Sequence, residues 1–248
     1  MTFWDHLDVL RGTLFRSLGA IVLCSVLGLS FKNFLFDRIV LAPAQADFIT
    51  YRLLGWDFSM QLINVEVSAQ FFVHLKAAFA VGLIVAFPYV VWELWRFLSP
   101  GLYAREKKPV GTAFLMSTGL FYLGVLVGYF IVLPVCLQFF MNYTVSDTVV
   151  NTITIGSYMS MFFSMVLLVG VVFEFPTVVL ALNRLGVLDR SVLRKGRRYA
   201  IVIVLVLAAL ITPADPFSMF VLAIPLYILY EFSILLCSKS PAKSGQAE

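Results

Sequence analysis

The stretch of sequence that decides the fold is residues 155–185, IGSYMSMFFSMVLLVGVVFEFPTVVLALNRL. Within it, only Glu174 and Arg184 carry a charge. An α-helix rises about 1.5 Å per residue, so about 20 apolar residues cross a hydrocarbon core about 30 Å thick. This run is long enough and apolar enough to span a membrane, and the core of a water-soluble protein does not need it.

Similar apolar runs recur along the whole chain. The sequence is 61% hydrophobic and 13% charged, with a mean hydropathy of +0.95, whereas an ordinary soluble domain has about 25% charged residues. We predict an all-α integral membrane protein with a single polytopic membrane domain at 1–237 and a cytoplasmic tail at 238–248. The six predicted transmembrane helices are residues 14–36, 71–91, 110–140, 155–185, 199–212 and 217–237.

The fifth and sixth spans are predicted to be short. Their uninterrupted apolar runs, 199–212 and 217–230, each have about 14 residues and reach about 21 Å as helices. Runs of this length are also typical of core helices or re-entrant segments. Basic residues at the same end of both runs favour a tight antiparallel pair of spans, with local thinning of the bilayer or entry of water.

Basic residues also predict the orientation, because Lys and Arg in short loops mark the cytoplasmic side. Most of the 18 Lys and Arg residues flank the spans on one side, including the cluster at 194–198. The opposite loops contain only Arg38 and Arg52. The N-terminus is therefore predicted to be cytoplasmic, and an even number of spans returns the C-terminus to the same side.

Two segments outside the spans are expected to have structure of their own. The long outer segment 37–70 contains Pro43, Gly55 and four acidic residues, and we predict that it forms a cap. Residues 6–11 are amphipathic and are expected to lie at the membrane interface before the chain turns into the first span.

The sequence lacks the patterns of a metal site or of common enzyme sites. Cys24, Cys136 and Cys237 lie in apolar runs without the spacing of zinc or redox motifs. The motifs H-E-x-x-H, G-x-S-x-G and G-x-x-x-x-G-K-[ST] are absent. We predict no metal, no cofactor and no enzymatic activity.

Three carboxylates have positions that call for a structural or functional role. Insertion of Glu174 into the membrane within the fourth span has an unfavourable free energy of at least about 2.5–3.5 kcal/mol. Either a structural hydrogen bond or a contact with a substrate or partner helix would explain a carboxylate at this position. Glu106 stands among cations after the second span, either as a solvated ion pair or as a ligand for an incoming guanidinium. Asp215 precedes Pro216 and is predicted to cap the sixth span.

Several short motifs occur in order over nearly the whole chain, and together they resemble the TatC family, the multispanning receptor subunit of the twin-arginine protein translocase. The motifs are His6-Leu7 with Leu10-Arg11, Ala42-Pro43, residues 95–103 with Glu106, 172–176, 198–200, 212–218, and Ile224-Pro225 with Tyr230-Glu231.

The resemblance implies a cup-shaped bundle of six spans that binds twin-arginine signal peptides at its cytoplasmic face. It places the binding site at Arg11, Phe97 and Glu106, with Asp8 and Arg105 beside them, and it pairs Glu106 with a signal-peptide arginine. In the family's HLxELR pattern a glutamate stands where this chain has Val9. The adjacent Asp8 is turned by about 100° on a helix.

The resemblance also implies partners and a location. Glu174 matches a polar residue of the concave side, where a signal peptide or a single-span TatA- or TatB-like subunit lies, and Pro43 and Asp215 match structural turns. The implied function is export of folded proteins across a prokaryotic cytoplasmic membrane, driven by the proton gradient. The chain would assemble as a homo-oligomer within a hetero-complex, in contact with lipid and not with nucleic acid.

A different function class remains open on the residues alone. Glu174 is also typical of a proton- or ion-coupled secondary transporter for a small solute, although the inverted repeats of many transporter folds are not evident in the sequence.

Overall fold

The computed structural model describes residues 3–58, 60–102, 108–146, 148, 151–184, 187–212 and 215–237. These residues are almost entirely helical, with one pair of two-residue strands. The chain divides into two compact units, Met1–Gly170 and Val171–Glu248.

The helices and strands follow one another as a series of long helices with short connecting elements. The first unit contains α1 (Phe3–Ser30), a π-helical segment Phe34–Val40, a 3-10 turn Ala42–Ala44, α2 (Ile49–Leu54), β1 (Leu62–Ile63), α3 (Ala69–Leu102), α4 (Lys108–Val127), a π-helical segment Gly128–Val132, α5 (Leu133–Asn142), β2 (Ile153–Thr154), α6 (Ile155–Phe163) and a π-helical segment Ser164–Leu168. After α7 (Val169–Val172), the second unit contains α8 (Phe175–Arg184), α9 (Arg190–Lys195), α10 (Arg197–Ile211) and α11 (Pro216–Leu236).

Five stretches of the described chain are long and apolar enough to cross a bilayer, so the protein is a multi-pass membrane protein. They are Leu7–Ser30, Ala69–Phe97, Phe114–Asn142, Ile155–Asn183 and Pro216–Leu236. The first four coincide with the first four predicted spans. The predicted fifth span is α10, whose 15 residues reach about 22 Å.

The bounds predicted for the sixth span, 217–237, agree with helix α11 (Pro216–Leu236), but the description of this span as short is wrong. Helix α11 has 21 residues and reaches about 31 Å, because Glu231 does not end it. The Glu231 carboxylate instead accepts a hydrogen bond from Arg197 Nη2 at 2.7 Å and another from the Tyr227 hydroxyl at 3.2 Å. A charge with partners can stay within the helix, and the apolar residues after it extend the span.

The prediction of a separate interfacial segment at residues 6–11 is also wrong. Helix α1 runs from Phe3 through Ser30 without a break, and the segment forms its first turns. The sequence gives no reason for a turn here, since it contains no proline before the first span and Gly12 alone only weakens a helix.

The cap segment, residues 37–70, has structure of its own, as predicted. Tyr51 of α2 is fully buried, and its hydroxyl donates a hydrogen bond to the Pro43 carbonyl at 2.8 Å. Gly55 ends α2 in the left-handed conformation with φ of 64°, which glycine adopts without strain. Beyond it, Leu62 and Ile63 of β1 pair in parallel with Ile153 and Thr154 of β2.

Small residues let the helices of the first unit approach closely. A Cβ atom on Gly82 of α3 would collide with the Ser25 side chain of α1 and lie 2.8 Å from Ser25 Cα. A Cβ on Gly128 would likewise collide with the Met165 carbonyl and lie 3.0 Å from Val166 Cα. Glycine is needed at both places because the neighbouring backbone occupies the space, as in other membrane helix pairs built on small residues.

Candidate functional site

The site predicted from the sequence lies where α1 begins and α3 ends, and three contacts fix the register of these two helices. A Cβ on Gly28 would lie 3.5 Å from the Ala78 carbonyl oxygen, Gly82 lies against Ser25, and Arg16 binds Glu93. Residue numbers fall along α1 as they rise along α3, so the helices are antiparallel. Continued for five residues beyond Arg16, this register brings Arg11 to about the level of Phe97.

The predicted site residues of α1 face outward. Asp8, Val9 and Arg11 are exposed, and the Arg11 guanidinium lies 5.7 Å from the ring centroid of Phe15 on its own helix. Phe97 on α3 is half-buried. Glu106 and Arg105 lie outside the described residues.

Sequence reasoning missed the ion pair that ties α1 to α3 beside this place. The Glu93 side chain is only 4% exposed, and its Oε2 accepts hydrogen bonds from Arg16 Nε at 2.9 Å and Arg16 Nη2 at 2.8 Å. The signal was present in Trp92-Glu93-Leu94-Trp95, because a carboxylate among apolar residues needs a partner. The partner was not evident, since Arg16 lies 77 residues earlier.

The other oxygen of Glu93 also has neighbours. Oε1 accepts a hydrogen bond from the Tyr89 hydroxyl at 3.3 Å and lies 3.9 Å from Arg96 Nη1. Arg16 is 48% exposed and also reaches the Thr13 hydroxyl at 3.5 Å. A guanidinium stabilises a buried carboxylate with these contacts, because charge-assisted hydrogen bonds offset the carboxylate's loss of hydration.

Glu174 lies in the second unit, in a turn that interrupts the helix between α7 and α8. It is half-buried, its backbone N–H donates to the Val171 carbonyl at 3.1 Å, and its own carbonyl accepts from Val178 N–H at 3.1 Å. The irregular backbone has a cause in the sequence, because Pro176 has no N–H to donate. A carboxylate at such a break can accept hydrogen bonds from a second helix.

Of the remaining two predicted residues, one lies in a 3-10 turn and the other precedes a helix. Pro43 is buried in the 3-10 turn, where its carbonyl accepts the Tyr51 hydroxyl. Asp215 precedes α11, and its Oδ1 accepts a hydrogen bond from Ser218 N–H at 2.6 Å, with Pro216 as the first helical residue. This is the N-cap geometry expected from the sequence.

The described residues contain no group of three or more His, Cys, Asp or Glu side chains placed to hold a metal ion. The polar contacts found beside the predicted site are those of the ion pair between Arg16 and Glu93.

Comparison with known proteins gives a consistent result over nearly the whole chain. Residues 5–225 match the family model described as Sec-independent protein translocase protein (TatC). The Sec-independent protein translocase protein TatC of Blattabacterium sp. subsp. Periplaneta americana is 36% identical, covering 95% of this chain and 94% of the relative. The protein of the same name from Carboxydothermus hydrogenoformans is 33% identical, covering 100% of this chain and 97% of the relative.

The fold is also similar to that of a solved structure. A crystal structure of a twin-arginine translocase receptor, TatC, in the detergent DDM superposes with a TM-score of 0.81 at 33% sequence identity. The similarity covers 94% of this chain and 99% of that one.

Proposed function

Because the chain belongs to the TatC family of Sec-independent protein translocase proteins, we propose that it is the signal-peptide receptor and core subunit of the twin-arginine translocase. In this role it exports folded proteins across the membrane with energy from the proton gradient. The observation that carries the proposal is the unbroken likeness, in sequence and in fold, over nearly the full length of this chain and of its relatives.

The signal peptide docks at the cytoplasmic face, between the start of α1 and the segment that follows α3. Support comes from the register of the two helices, which brings Arg11 to about the level of Phe97. Asp8 lies one turn before Arg11, and Glu106 and Arg105 follow α3 in sequence. A carboxylate matches the planar fork of an arginine better than the point charge of a lysine, so Glu106 pairs with a signal-peptide arginine.

Glu174 contacts a single-span TatA- or TatB-like subunit. Support comes from its place in a helix break within a long apolar stretch, where the carboxylate gains by accepting hydrogen bonds from a neighbouring helix. The complete translocase contains more than one copy of this chain, and lipid surrounds the spans.

The chain lies in a prokaryotic cytoplasmic membrane with both termini on the cytoplasmic side. The basic clusters before α10 and after α11 support this orientation, since they stand at the same end of both helices. Helix α10 then completes a set of six spans. Its 15 residues require the bilayer to thin locally.

The test is binding of a labelled twin-arginine signal peptide to the detergent-purified full chain, beside a twin-lysine peptide. We expect the twin-arginine peptide to bind at least about ten-fold more tightly, because bidentate, charge-assisted hydrogen bonds are lost with lysine. Glu106→Gln should strongly reduce this preference.

The matched control is Glu66→Gln, which makes the same substitution at an exposed carboxylate of the cap segment and should leave both affinities unchanged. Equal, weak binding of both peptides with no effect of Glu106→Gln would refute the receptor role. Uptake of small solutes into vesicles would then be the next measurement.

A further inference from the structure

We infer that Glu93 is an additional acceptor for a signal-peptide arginine, and that Arg16 occupies it until the peptide arrives. The inference rests on the proposed function and adds a residue that the family resemblance does not supply. Its physical basis is the unequal burial of the two partners in the α1–α3 ion pair.

The anion of this pair is fixed and the cation is free to leave. Glu93 is 4% exposed and is held by Tyr89 and Arg16, with Arg96 Nη1 at 3.9 Å. Arg16 is 48% exposed, so its guanidinium can detach from the carboxylate and leave the α1–α3 contact. The buried carboxylate cannot do so, and it therefore needs a replacement guanidinium whenever Arg16 leaves.

The position of Glu93 connects it to the proposed docking site. Glu93 and Phe97 are four residues apart, so they lie on the same face of α3, about 6 Å apart along its axis. Val9, Thr13 and Arg16 share one face of α1, because steps of four and three residues return to the same side.

Val9 lies about one turn before Thr13 on α1 but is 41% exposed, so it does not enter the α1–α3 seam that holds Glu93. The resembling family has its acid at the position of Val9. In this chain the carboxylate of the seam is Glu93, about two turns of α1 further along at the level of Arg16. A twin-arginine signal peptide carries two adjacent arginines, and Glu93 accepts one of them.

Two substitutions that break the same bridge test the inference, because they should have opposite effects on peptide binding. Glu93→Gln removes the acceptor and should weaken binding of the twin-arginine peptide by about ten-fold or more, as expected for loss of a charge-assisted hydrogen bond. Arg16→Gln removes the internal competitor and should tighten binding.

If Arg16 and Glu93 had purely structural roles, both substitutions would change peptide binding in the same direction, because both remove the same α1–α3 contact. The inference is overturned if Arg16→Gln fails to tighten binding or if Glu93→Gln fails to weaken it. Thermal unfolding in detergent shows whether both proteins are folded. Arg16→Lys is the second variant should Arg16→Gln not fold, and it should tighten binding by a smaller factor because an ammonium makes a weaker substitute for the guanidinium fork.

The same experiment separates this inference from the proposed function. If the unmodified chain prefers arginine and Glu106→Gln reduces the preference, the receptor role stands whatever Glu93 does. If the unmodified chain shows no preference, the receptor role fails and the inference fails with it.

Discussion

At the scale of single residues, burial decides what a charged contact contributes. Glu93 and Glu231 both hold a guanidinium, but their side chains are 4% and 33% exposed. The Arg197–Glu231 pair is partly exposed, and exposed ion pairs contribute little to stability. Removal of one partner from a buried pair is costly because it leaves an uncompensated charge. The half-exposed Arg16 makes its pair less costly to break than a fully buried pair.

Tyr51 gives a residue-scale prediction for the cap segment. Tyr51→Phe removes the hydrogen bond to the buried Pro43 carbonyl and should lower the free energy of unfolding by about 1–3 kcal/mol, the usual effect of an unsatisfied buried acceptor. Chemical denaturation in detergent measures the change. Tyr143→Phe is the matched control, since Tyr143 is 63% exposed, and a loss as large there would contradict the explanation.

The same tyrosine predicts a dependence on high pH. Burial raises the pKa of the Tyr51 phenol above its ordinary value of 10.0. The folded state therefore holds this proton more tightly than the unfolded state. The stabilisation is complete below about pH 10 and is lost as the pH rises through the folded-state pKa.

Single residues of the site also differ in how well the sequence predicts them. Glu174 could be singled out because it interrupts an apolar run, and Glu106, Arg11 and Phe97 because the ordered motifs resemble a family. Glu93 was easier to miss, because it stands just past the end of a predicted span, where a charge is ordinary, and only its apolar neighbours indicate that it needs a partner. Only the packing of α1 on α3 reveals its partner, and that packing joins residues 77 positions apart.

At the scale of elements, hydropathy predicts the long helices well because each is a local property of its own residues. The bounds are less predictable when a charge is satisfied from elsewhere, as Glu231 is by Arg197. The β1–β2 pair likewise depends on a neighbour distant in sequence. The short length of α10 could be predicted, since Pro213 stops its apolar run.

Gly82 gives the element-scale prediction, because the α1–α3 seam leaves no room for a side chain. Gly82→Ala should force the helices apart and lower the unfolding temperature in detergent, at a cost of about 1–3 kcal/mol for overpacking. Gly19→Ala on α1 is the matched control, since a Cβ there meets nothing within 4 Å. Equal destabilisation by both substitutions would refute the close-packing explanation.

At the scale of the whole molecule, the number of times the chain crosses the bilayer depends on α10. Five described stretches meet the length of a span, and α10 decides between five crossings and six. The basic residues that flank α10 and α11 favour six, because five crossings would leave one cluster outside.

Labelling of introduced cysteines tests this topology. In a variant lacking Cys24, Cys136 and Cys237, we expect a membrane-impermeant maleimide to label Val67→Cys and Val145→Cys in intact spheroplasts. Arg194→Cys and Ser244→Cys should react only after permeabilisation. Labelling of Ser244→Cys without permeabilisation would show that α10 does not cross.

The Arg16–Glu93 bridge has a consequence for the synthesis and membrane insertion of the protein. Arg16 leaves the ribosome 77 residues before Glu93, which is roughly 4–15 s at a synthesis rate of about 5–20 residues per second. During that interval the guanidinium has no carboxylate to meet, and its long side chain stays at the headgroups rather than in hydrocarbon. The first helix can settle to its final depth only when α3 arrives beside it, so the two enter the bilayer as one unit.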